Sequence, residues 1–406
     1  MLYQHLLSHA LEDKREDFLR FDRAWRENVD DYVRRFRALD GRDAQAVEAA
    51  LDAIKEPGAI PSEELDSTGS MVVPFGKRWR THEESRRWAV DVLEGRVTFA
   101  ADGSQLVPGR DVSLPVAAVQ VGIFENSHTR EGLYRKDARF VVVSPQELLE
   151  EYDDRSTADS IIGLKRFELE TEVLSEWIES KRGWREREKR TPVAFFDGTL
   201  MISIALPKTK LQDAYVSSIV NLVKLSRDME VPLVGFVDQS YARDLVWLLD
   251  SLDTERRGKR SRSLFDAQLL HAALGEDQPV LSSWGERTTF CYCVRKNSSL
   301  SFKDEQSNKP LVGFTYLQTT MQGAPARLDV PVWIYEAGLL DDVVDTVRAE
   351  CITGMGYPYA IEAADEAAFI SGRDREQFLR AIQEFAEEAG MPFGVSRKAV
   401  SKVRRR

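Results

Sequence analysis

The sequence predicts an α/β protein with a mixed central sheet, a helical N-terminal extension and additional C-terminal strands and helices. The alternation of two kinds of segment along the chain supports this fold class. Short apolar segments rich in β-branched and aromatic residues alternate with longer segments whose apolar residues recur at helical spacing. Such alternation is typical of mixed or parallel α/β sheets. The chain has 406 residues, 43% of them hydrophobic, which is enough to bury a sizeable core.

The N-terminal part of the chain, residues 1–70, is predicted to be a helical region that ends in a linker. Residues 2–57 place Leu, Phe, Trp, Tyr and Val at helical spacing between charged residues. Residues 57–70 are rich in Pro, Gly and Ser, a composition typical of a linker. We expect the main domain at residues 71–392 and a basic tail at residues 393–406.

The main domain is predicted to begin with a helix that leads into the first strand. Thr81 lies at a capping position, and Glu84 follows three residues later, as in a capping box. The next strand patterns lie at residues 96–104, 114–126, 138–145, 192–203 and 231–238, and the helix patterns at 145–181, 210–230 and 240–252. The C-terminal part adds strand patterns at 279–284, 287–296, 309–320 and 326–338 and helix patterns at 339–354 and 375–390.

Two of the predicted strands reach an Asp-Gly pair at their carboxyl ends. Asp102 closes the first strand and Asp197 the fourth. A hydroxyl residue, Ser104 or Thr199, follows each pair. A single Asp-Gly is most often a turn, because Asp bonds to nearby backbone and Gly accepts positive φ. Since sites in open α/β sheets lie beyond the carboxyl ends of strands, we expect the two carboxylates to lie a few ångströms apart.

Two close carboxylates predict a particular chemistry. They repel each other unless a cation lies between them. Oxygen ligands, in a chain with only five histidines, suit Mg²⁺ or Mn²⁺. Two such ions can position a water molecule and stabilise the leaving group of a phosphodiester. Metal-dependent phosphodiester hydrolysis is therefore the first hypothesis for function.

Further acidic residues could complete such a metal site. Glu168, Glu172 and Glu176 share one face of the predicted helix before the second Asp strand, as their four-residue spacing requires. Glu170 lies on another face, beside the apolar positions. Two more candidates are Asp238, which ends a third strand, and Asp365, near the start of a later helix. Each of these acids alone is as well explained by a solvated helix face, a turn or a helix cap.

The charge distribution limits where a nucleic acid could bind. The net charge of -11 argues against wholesale coating of nucleic acid or membrane, but allows a local basic groove. The best candidate for DNA contact is a loop with five basic residues, namely Arg256, Arg257, Lys259, Arg260 and Arg262. The chain has no phosphate-cradling Gly-Lys-Ser/Thr loop, so we expect no ATP hydrolysis by this chain itself.

Cysteine usage and hydropathy predict a soluble cytoplasmic protein with no membrane segment. Three cysteines in so long a chain are no disulfide framework. Cys291 and Cys293 are predicted to share one buried face of a strand, since alternate residues of a strand point the same way. The N-terminus lacks the pattern of a signal peptide, and the longest apolar run is too short to span a bilayer.

Five motifs in order resemble those of the NurA family of nucleases. The resemblance extends over residues 95–390. The motifs are Ala-Asp-Gly-Ser at 101–104, Arg-Phe-Glu at 166–168, Phe-Asp-Gly-Thr-Leu at 196–200, the segment 234–240 and the segment 356–370. The resemblance implies an RNase H-like core with a Mn²⁺-dependent nuclease site, with Mg²⁺ as a possible alternative. It also implies 5′→3′ exonuclease and single-strand endonuclease activity on DNA.

The resemblance implies partners and a ligand set as well. It implies a homodimer that docks on a HerA-type hexameric translocase ATPase during DNA end resection, and that acts on single-stranded DNA and double-stranded ends. Carried over by position, the resemblance implies that Asp102 and Asp197 are metal ligands. It implies Glu168 as the ligand from the helix, with Glu170 as the alternative, and Asp365 as the C-terminal ligand.

This sequence departs from the family pattern at two places. Asp365 stands where many members have histidine, and Asp238 stands where many have lysine. An aspartate can still bind a hard ion at either place. Two other functions remain open from the residues: a non-catalytic adaptor that seats a partner ATPase on DNA, and an RNase H-like nuclease acting on RNA.

Overall fold

The computed structural model describes most of the chain, and most of its elements follow the predicted order. It describes residues 3–108, 113–149, 157–188, 190–202, 210–255, 264–273, 278–295, 302–304 and 309–394. The linker predicted at residues 57–70 was wrong in part, because it contains a strand, Gly58–Pro61, and a short helix, Glu64–Thr68. The helices are α1 Gln4–Glu12, α2 Arg15–Arg37, α3 Ala44–Leu51, α4 Glu64–Thr68, α5 His82–Leu93, α6 Pro145–Leu149, α7 Ala158–Ser180, α8 Lys210–Met229, α9 Asp244–Leu252, α10 Asp266–His271, α11 Val332–Glu336, α12 Leu340–Thr353, α13 Tyr359–Ala368 and α14 Gly372–Glu388. The strands are β1 Gly58–Pro61, β2 Val72–Val73, β3 Thr98–Leu106, β4 Ala117–Asn126, β5 Tyr134–Val143, β6 Val193–Asp197, β7 Leu233–Val237, β8 Arg287–Thr288, β9 Cys291–Val294, β10 Val312–Leu317 and β11 Ala326–Pro331.

The chain divides into two units, each built from separate stretches of sequence. The first unit comprises residues 1–78, 237–299 and 313–328, and the second comprises residues 79–236, 300–312 and 329–406. The domain boundaries predicted from the sequence stay a prediction. Most of the predicted basic tail, residues 395–406, lies outside the described residues.

The second unit is organised around five strands in the order β5-β4-β3-β6-β7. β3, β4 and β5 pair antiparallel, while β6 pairs parallel with both β3 and β7. An antiparallel meander whose first strand is followed on its other side by two successive parallel strands is the order of an RNase H-like sheet. The predicted mixed sheet with an RNase H-like core is therefore confirmed.

Helices cover both faces of this sheet. On one face, Trp177 of α7 stacks on Phe99 of β3, with the ring centroids 4.8 Å apart. On the other face, α13 lies so close to β4 that a Cβ on Gly122 would be 2.3 Å from the Ala364 carbonyl oxygen. Gly122 pairs with Asp102, and Asp102 is next to Gly103 on β3. Because successive strand residues point to opposite faces, Asp102 points toward the α13 side and Gly103 toward the α7 side.

The helix predicted before the first strand is confirmed as α5. The Thr81 hydroxyl accepts a hydrogen bond from the Glu84 backbone N–H at 3.2 Å, which caps the helix. The inner face of α5 packs Ala89 and Leu93 against Ala349 of α12. The helix therefore ends against the second unit's core, and four residues separate Leu93 from the start of β3 at Thr98.

The first unit has its own antiparallel strands and a buried cluster of charges. β1 pairs with β9, β9 with β10, and β2 with β8. Cys291 and Cys293 of β9 are both buried, whereas Tyr292 between them is half-buried, so the predicted shared face is confirmed. Asp244 is fully buried and pairs with Arg295 and Arg327, each at 2.7 Å. Nowhere in the described part of the chain is a helix long and apolar enough to cross a membrane.

Of the predicted C-terminal strands, the one at residues 279–284 was wrong and the one at residues 326–338 was wrong in part. Residues 279–284 form no strand, because the backbone N–H groups of Ser282 and Ser283 both donate to the Glu286 carboxylate, which folds a turn there. Residues 326–338 begin as β11 but continue as the helix α11 from Val332.

Candidate active site

Asp102 and Asp197 lie on adjacent strands of the second unit. The parallel pairing of β3 with β6 ends at Ala101 and Phe196, so each aspartate is the next residue on its strand. Neighbouring strands are about 4.8 Å apart, which makes these two acids lateral neighbours. Asp102 is half-buried and Asp197 is exposed. The structure thus brings together the two aspartates that the sequence singled out.

The prediction that a strand stops at Asp102 was wrong. β3 continues through Asp102 to Leu106, and its antiparallel pairing with β4 covers this whole stretch. Gly103 makes no turn here. A Cβ on Gly103 would lie 2.1 Å from Glu170 Oε1 and 2.6 Å from Arg166 Cγ, so glycine is needed because α7 approaches the strand closely.

At Asp197, by contrast, the strand does end in a turn. Gly198 has φ +136°, a backbone conformation that residues other than glycine rarely adopt. The turn is held by Asp329, a fully buried carboxylate that accepts hydrogen bonds from the Thr199 hydroxyl at 2.5 Å and the Leu200 N–H at 3.0 Å. The hydroxyl that follows the second Asp-Gly pair is therefore structural. Sequence reasoning missed Asp329, although an aspartate within an apolar strand was a usable signal.

The helix α7 directs Glu170, and not Glu168, toward the two aspartates. Glu170 is 7% exposed. Burial raises the pKa of its carboxyl group to about 7, with further raising by Asp102 and Asp197 and an opposing effect of Arg166. Glu168 is only half-buried; burial raises the pKa of the Tyr215 hydroxyl, and the charges of Glu170 and Glu168 raise it further.

The other two glutamates of the predicted acidic stripe have a different partner. Arg139 of β5 pairs with Glu176 at 2.5 Å and with Glu172 at 3.4 Å. These exposed pairs connect α7 with the last strand of the meander. Glu172 and Glu176 therefore belong to the outer surface of the unit rather than to the carboxylate cluster.

Asp365 lies on α13, on the face of the sheet opposite the helix α7 that carries Glu170. It lies in the second half of α13, not in the first turn as the sequence suggested, and its side chain is exposed. Burial raises the pKa of Asp102 to about 6, and the carboxylates of Asp197 and Asp365 raise it further against a hydrogen bond from the Gly103 backbone.

Tyr357 joins the cluster through Asp197. Its hydroxyl donates a hydrogen bond to Asp197 Oδ1 at 2.8 Å, and its ring packs edge-on against Phe236 with the centroids 5.1 Å apart. Tyr357 lies two residues before α13. The Gly-Tyr-Pro sequence that precedes this helix carried the signal, but the hydroxyl was not singled out from the sequence.

The four acids form a cluster that is suited to a hard cation by its chemistry. All its donors are carboxylate oxygens, and Glu170 Oε1 is buried with no hydrogen-bond partner among the described residues. As they stand, however, no three His, Cys, Asp or Glu side chains in the described residues converge closely enough to hold a metal ion. A divalent cation would relieve the repulsion among these carboxylates that contributes to the raised pKa of Asp102. The chemistry of the donors therefore fits Mn²⁺ or Mg²⁺.

Two groups of predicted site residues stay predictions. Asp238 is exposed, belongs to the first unit and stays a prediction. The predicted DNA-binding residues Arg256, Arg257, Lys259, Arg260 and Arg262 all lie outside the described residues.

Solved structures show distant similarity to this chain. The NurA nuclease from Sulfolobus solfataricus aligns over 72% of this chain and 85% of its own, with 14% identity and a TM-score of 0.45. A second NurA crystal structure aligns over 75% and 94%, with 11% identity and a TM-score of 0.40. The catalytic domain of human Endonuclease V aligns over 81% and 96%, with 12% identity and a TM-score of 0.30. No curated protein matches the chain.

The family comparison covers the part of the chain that carries the cluster. The family model described as the NurA domain matches residues 96–370, well over half of the sequence. That range begins just before β3 and ends just after α13, so it includes Asp102, Glu170, Asp197 and Asp365. The chain belongs to the NurA domain family.

Proposed function

We propose that this protein is a metal-dependent nuclease that hydrolyses phosphodiester bonds in DNA. The observation that carries the proposal is that Asp102 and Asp197 are lateral neighbours on β3 and β6, with Glu170 of α7 and Asp365 of α13 near enough for their charges to act on these aspartates. Acidic groups are rarely gathered in this way without a cation, because each raises the energy of the others' charged form. Family membership supports the same activity.

Each residue has a distinct role in this proposal. Asp102 and Asp197 are the central ligands, since they project from laterally adjacent strands. Glu170 contributes from the α7 side of the sheet and Asp365 from the α13 side. Tyr357 holds Asp197 through its hydroxyl, which fixes the orientation of that carboxylate. Bound Mn²⁺ or Mg²⁺ would supply an activated water molecule and charge stabilisation for the leaving oxygen.

The finer features of the proposal rest on the family resemblance. They are 5′→3′ exonuclease and single-strand endonuclease activity, a homodimer, and action with a HerA-type hexameric ATPase in DNA end resection. The basic loop at 256–262 is the proposed DNA contact, because a chain with net charge -11 must hold phosphate through local positive charge.

The test is cleavage of end-labelled DNA, single- and double-stranded, with Mn²⁺, Mg²⁺ or a chelator. We expect metal-dependent cleavage by the wild type that falls below detection in Asp102→Asn and Asp197→Asn while the fold survives. Asp91→Asn is the matched control, because Asp91 is an exposed aspartate of α5 in the same unit. Full activity in either folded site variant would contradict the site assignment.

The same assay separates the competing functions. Cleavage of labelled RNA in preference to DNA would favour the RNA nuclease. No cleavage by the wild type, repeated with a HerA-type partner and ATP, together with no carboxylate-dependent Mn²⁺ binding by calorimetry, would favour the adaptor.

Asp238→Asn tests the remaining predicted ligand, and unchanged Mn²⁺ binding in that variant would remove Asp238 from the site.

A further inference from the structure

Arg166 connects the two sides of the carboxylate cluster. Its Nη1 donates a hydrogen bond to the Gly103 carbonyl oxygen at 3.0 Å, directly after Asp102 on β3. Its Nε lies 3.6 Å from Glu170 Oε1, one turn further along α7. One guanidinium group therefore contacts both the strand that carries one acid and the helix residue that supplies another.

The environment of this pair separates it from an ordinary surface salt bridge. Arg166 Nε and Glu170 Oε1 are both buried, and neither has a hydrogen-bond partner among the described residues. Exposed ion pairs contribute little because water screens them, but a buried carboxylate depends on its few neighbours for orientation. Gly103 lets both side chains lie against the strand, since a Cβ there would overlap each of them.

We propose that Arg166 is a positioning residue that holds the Glu170 carboxylate toward Asp102 and Asp197 so that a divalent cation can bind. The inference rests on the proposed function, because it concerns the metal site of that reaction. The guanidinium anchors itself on the Gly103 carbonyl and presents Nε to Glu170 Oε1. The second carboxylate oxygen, Oε2, stays available for a metal ion.

The planar guanidinium is needed for this geometry. It has separate N–H groups in a fixed arrangement, so it can contact a carbonyl oxygen and a carboxylate at once. A lysine ammonium at the same position keeps the charge but is a point donor on a flexible chain. We therefore expect Arg166→Lys to retain only part of the effect, whereas Arg166→Met loses both charge and orientation.

The experiment measures Mn²⁺ binding to the full chain by calorimetry, after treatment with a chelator, together with thermal unfolding without metal. Removal of groups that orient a ligand typically weakens metal binding by about 10–100-fold, which is the loss expected for Arg166→Met. Arg166→Lys should lie between that variant and the wild type. The matched control is Lys165→Met, which removes a positive charge from the neighbouring residue of the same helix and should leave the dissociation constant within about 2-fold.

A double-mutant cycle separates positioning from general structural damage. If Arg166 acts through Glu170, then Arg166→Met should weaken Mn²⁺ binding no further in a Glu170→Gln background. Equal losses in both backgrounds, or wild-type binding by Arg166→Met, would overturn the inference while leaving the proposed nuclease intact. Absence of Mn²⁺ binding by the wild type would overturn both. If Arg166→Met fails to fold, the same double-mutant cycle is measured with Arg166→Gln and Arg166→Lys in its place.

Discussion

The two Asp-Gly pairs of this chain have the same sequence signature and different structures. At Asp102-Gly103 the strand continues, and glycine is required because Glu170 and Arg166 lie against it. At Asp197-Gly198 the strand ends, and glycine is required because φ is +136°. The same dipeptide thus serves close packing in one place and a turn in the other. The neighbouring element, and not the dipeptide, decides which.

The largest expected effects come from adding a methyl group to each glycine. Gly103→Ala and Gly198→Ala should each cost about 1–3 kcal/mol of unfolding free energy, the first from overpacking and the second from backbone strain. The two costs differ in origin, so Glu170→Ala should restore part of the stability of Gly103→Ala and none of that of Gly198→Ala. Thermal and urea unfolding of the single and double variants measure this. Equal rescue of both would contradict the distinction.

A medium effect is expected from pH at the first pair, where Asp102 and the buried Glu170 beside it both have raised pKa values. The pKa values of Asp102 and Glu170 are raised to about 6 and about 7, so the folded chain holds protons that the unfolded chain releases near pH 4. Without metal, stability should therefore fall as pH rises from about 4 to about 7, by about 1–2 kcal/mol after allowance for solvent screening.

Urea unfolding across this pH range checks the sign of the dependence. Glu170→Gln should reduce the slope of the upper part of the curve, since glutamine does not titrate; the remaining slope comes from the buried Asp266, whose pKa burial also raises to about 7. Mn²⁺ should stabilise the protein more at the high end of the range, because its ligands must lose their protons. A metal-free stability that increases steadily from pH 4 to 7 would contradict the raised pKa values.

The smallest effects concern the hydroxyl that follows each pair. Thr199→Val removes one of the hydrogen bonds to the buried Asp329 and should cost about 1 kcal/mol, because the Leu200 N–H still donates to this carboxylate. Ser104→Ala should stay within about 0.5 kcal/mol, since its hydroxyl bonds to no described residue. Chemical unfolding of the two variants side by side measures the difference. Equal costs would show that the two hydroxyls have the same role.

Local patterns in the sequence were enough for much of the fold. The Thr81 cap, the shared face of Cys291 and Cys293, and the alternation of strands and helices followed from rules that involve only nearby residues. The pairing of Asp102 with Asp197 followed from a general rule about sheets. These predictions needed no knowledge of how distant segments pack.

Other features depended on packing that no local pattern contains. The family resemblance favoured Glu168 and left Glu170 as the alternative, yet Glu170 lies against Gly103 because the apolar face of α7, which includes Glu170, packs on the sheet. Asp365 could be placed on a helix but not in its second half, because the start of α13 depends on Pro358. Asp329 and Arg166 act through partners 130 and 63 residues away, a separation that sequence reasoning did not bridge.

The close approach of α13 to Gly122 has a consequence for the protein during its synthesis. Asp365 reaches Asp102 only when this helix has settled on the sheet, where the contact is backbone against backbone. When only β3, α7 and β6 have emerged from the ribosome, the growing chain presents Asp102, Glu170 and Asp197, but Asp365 has not yet emerged. The fourth acid joins the cluster only after nearly the whole family domain has emerged, so an incomplete chain is kept from having a complete site.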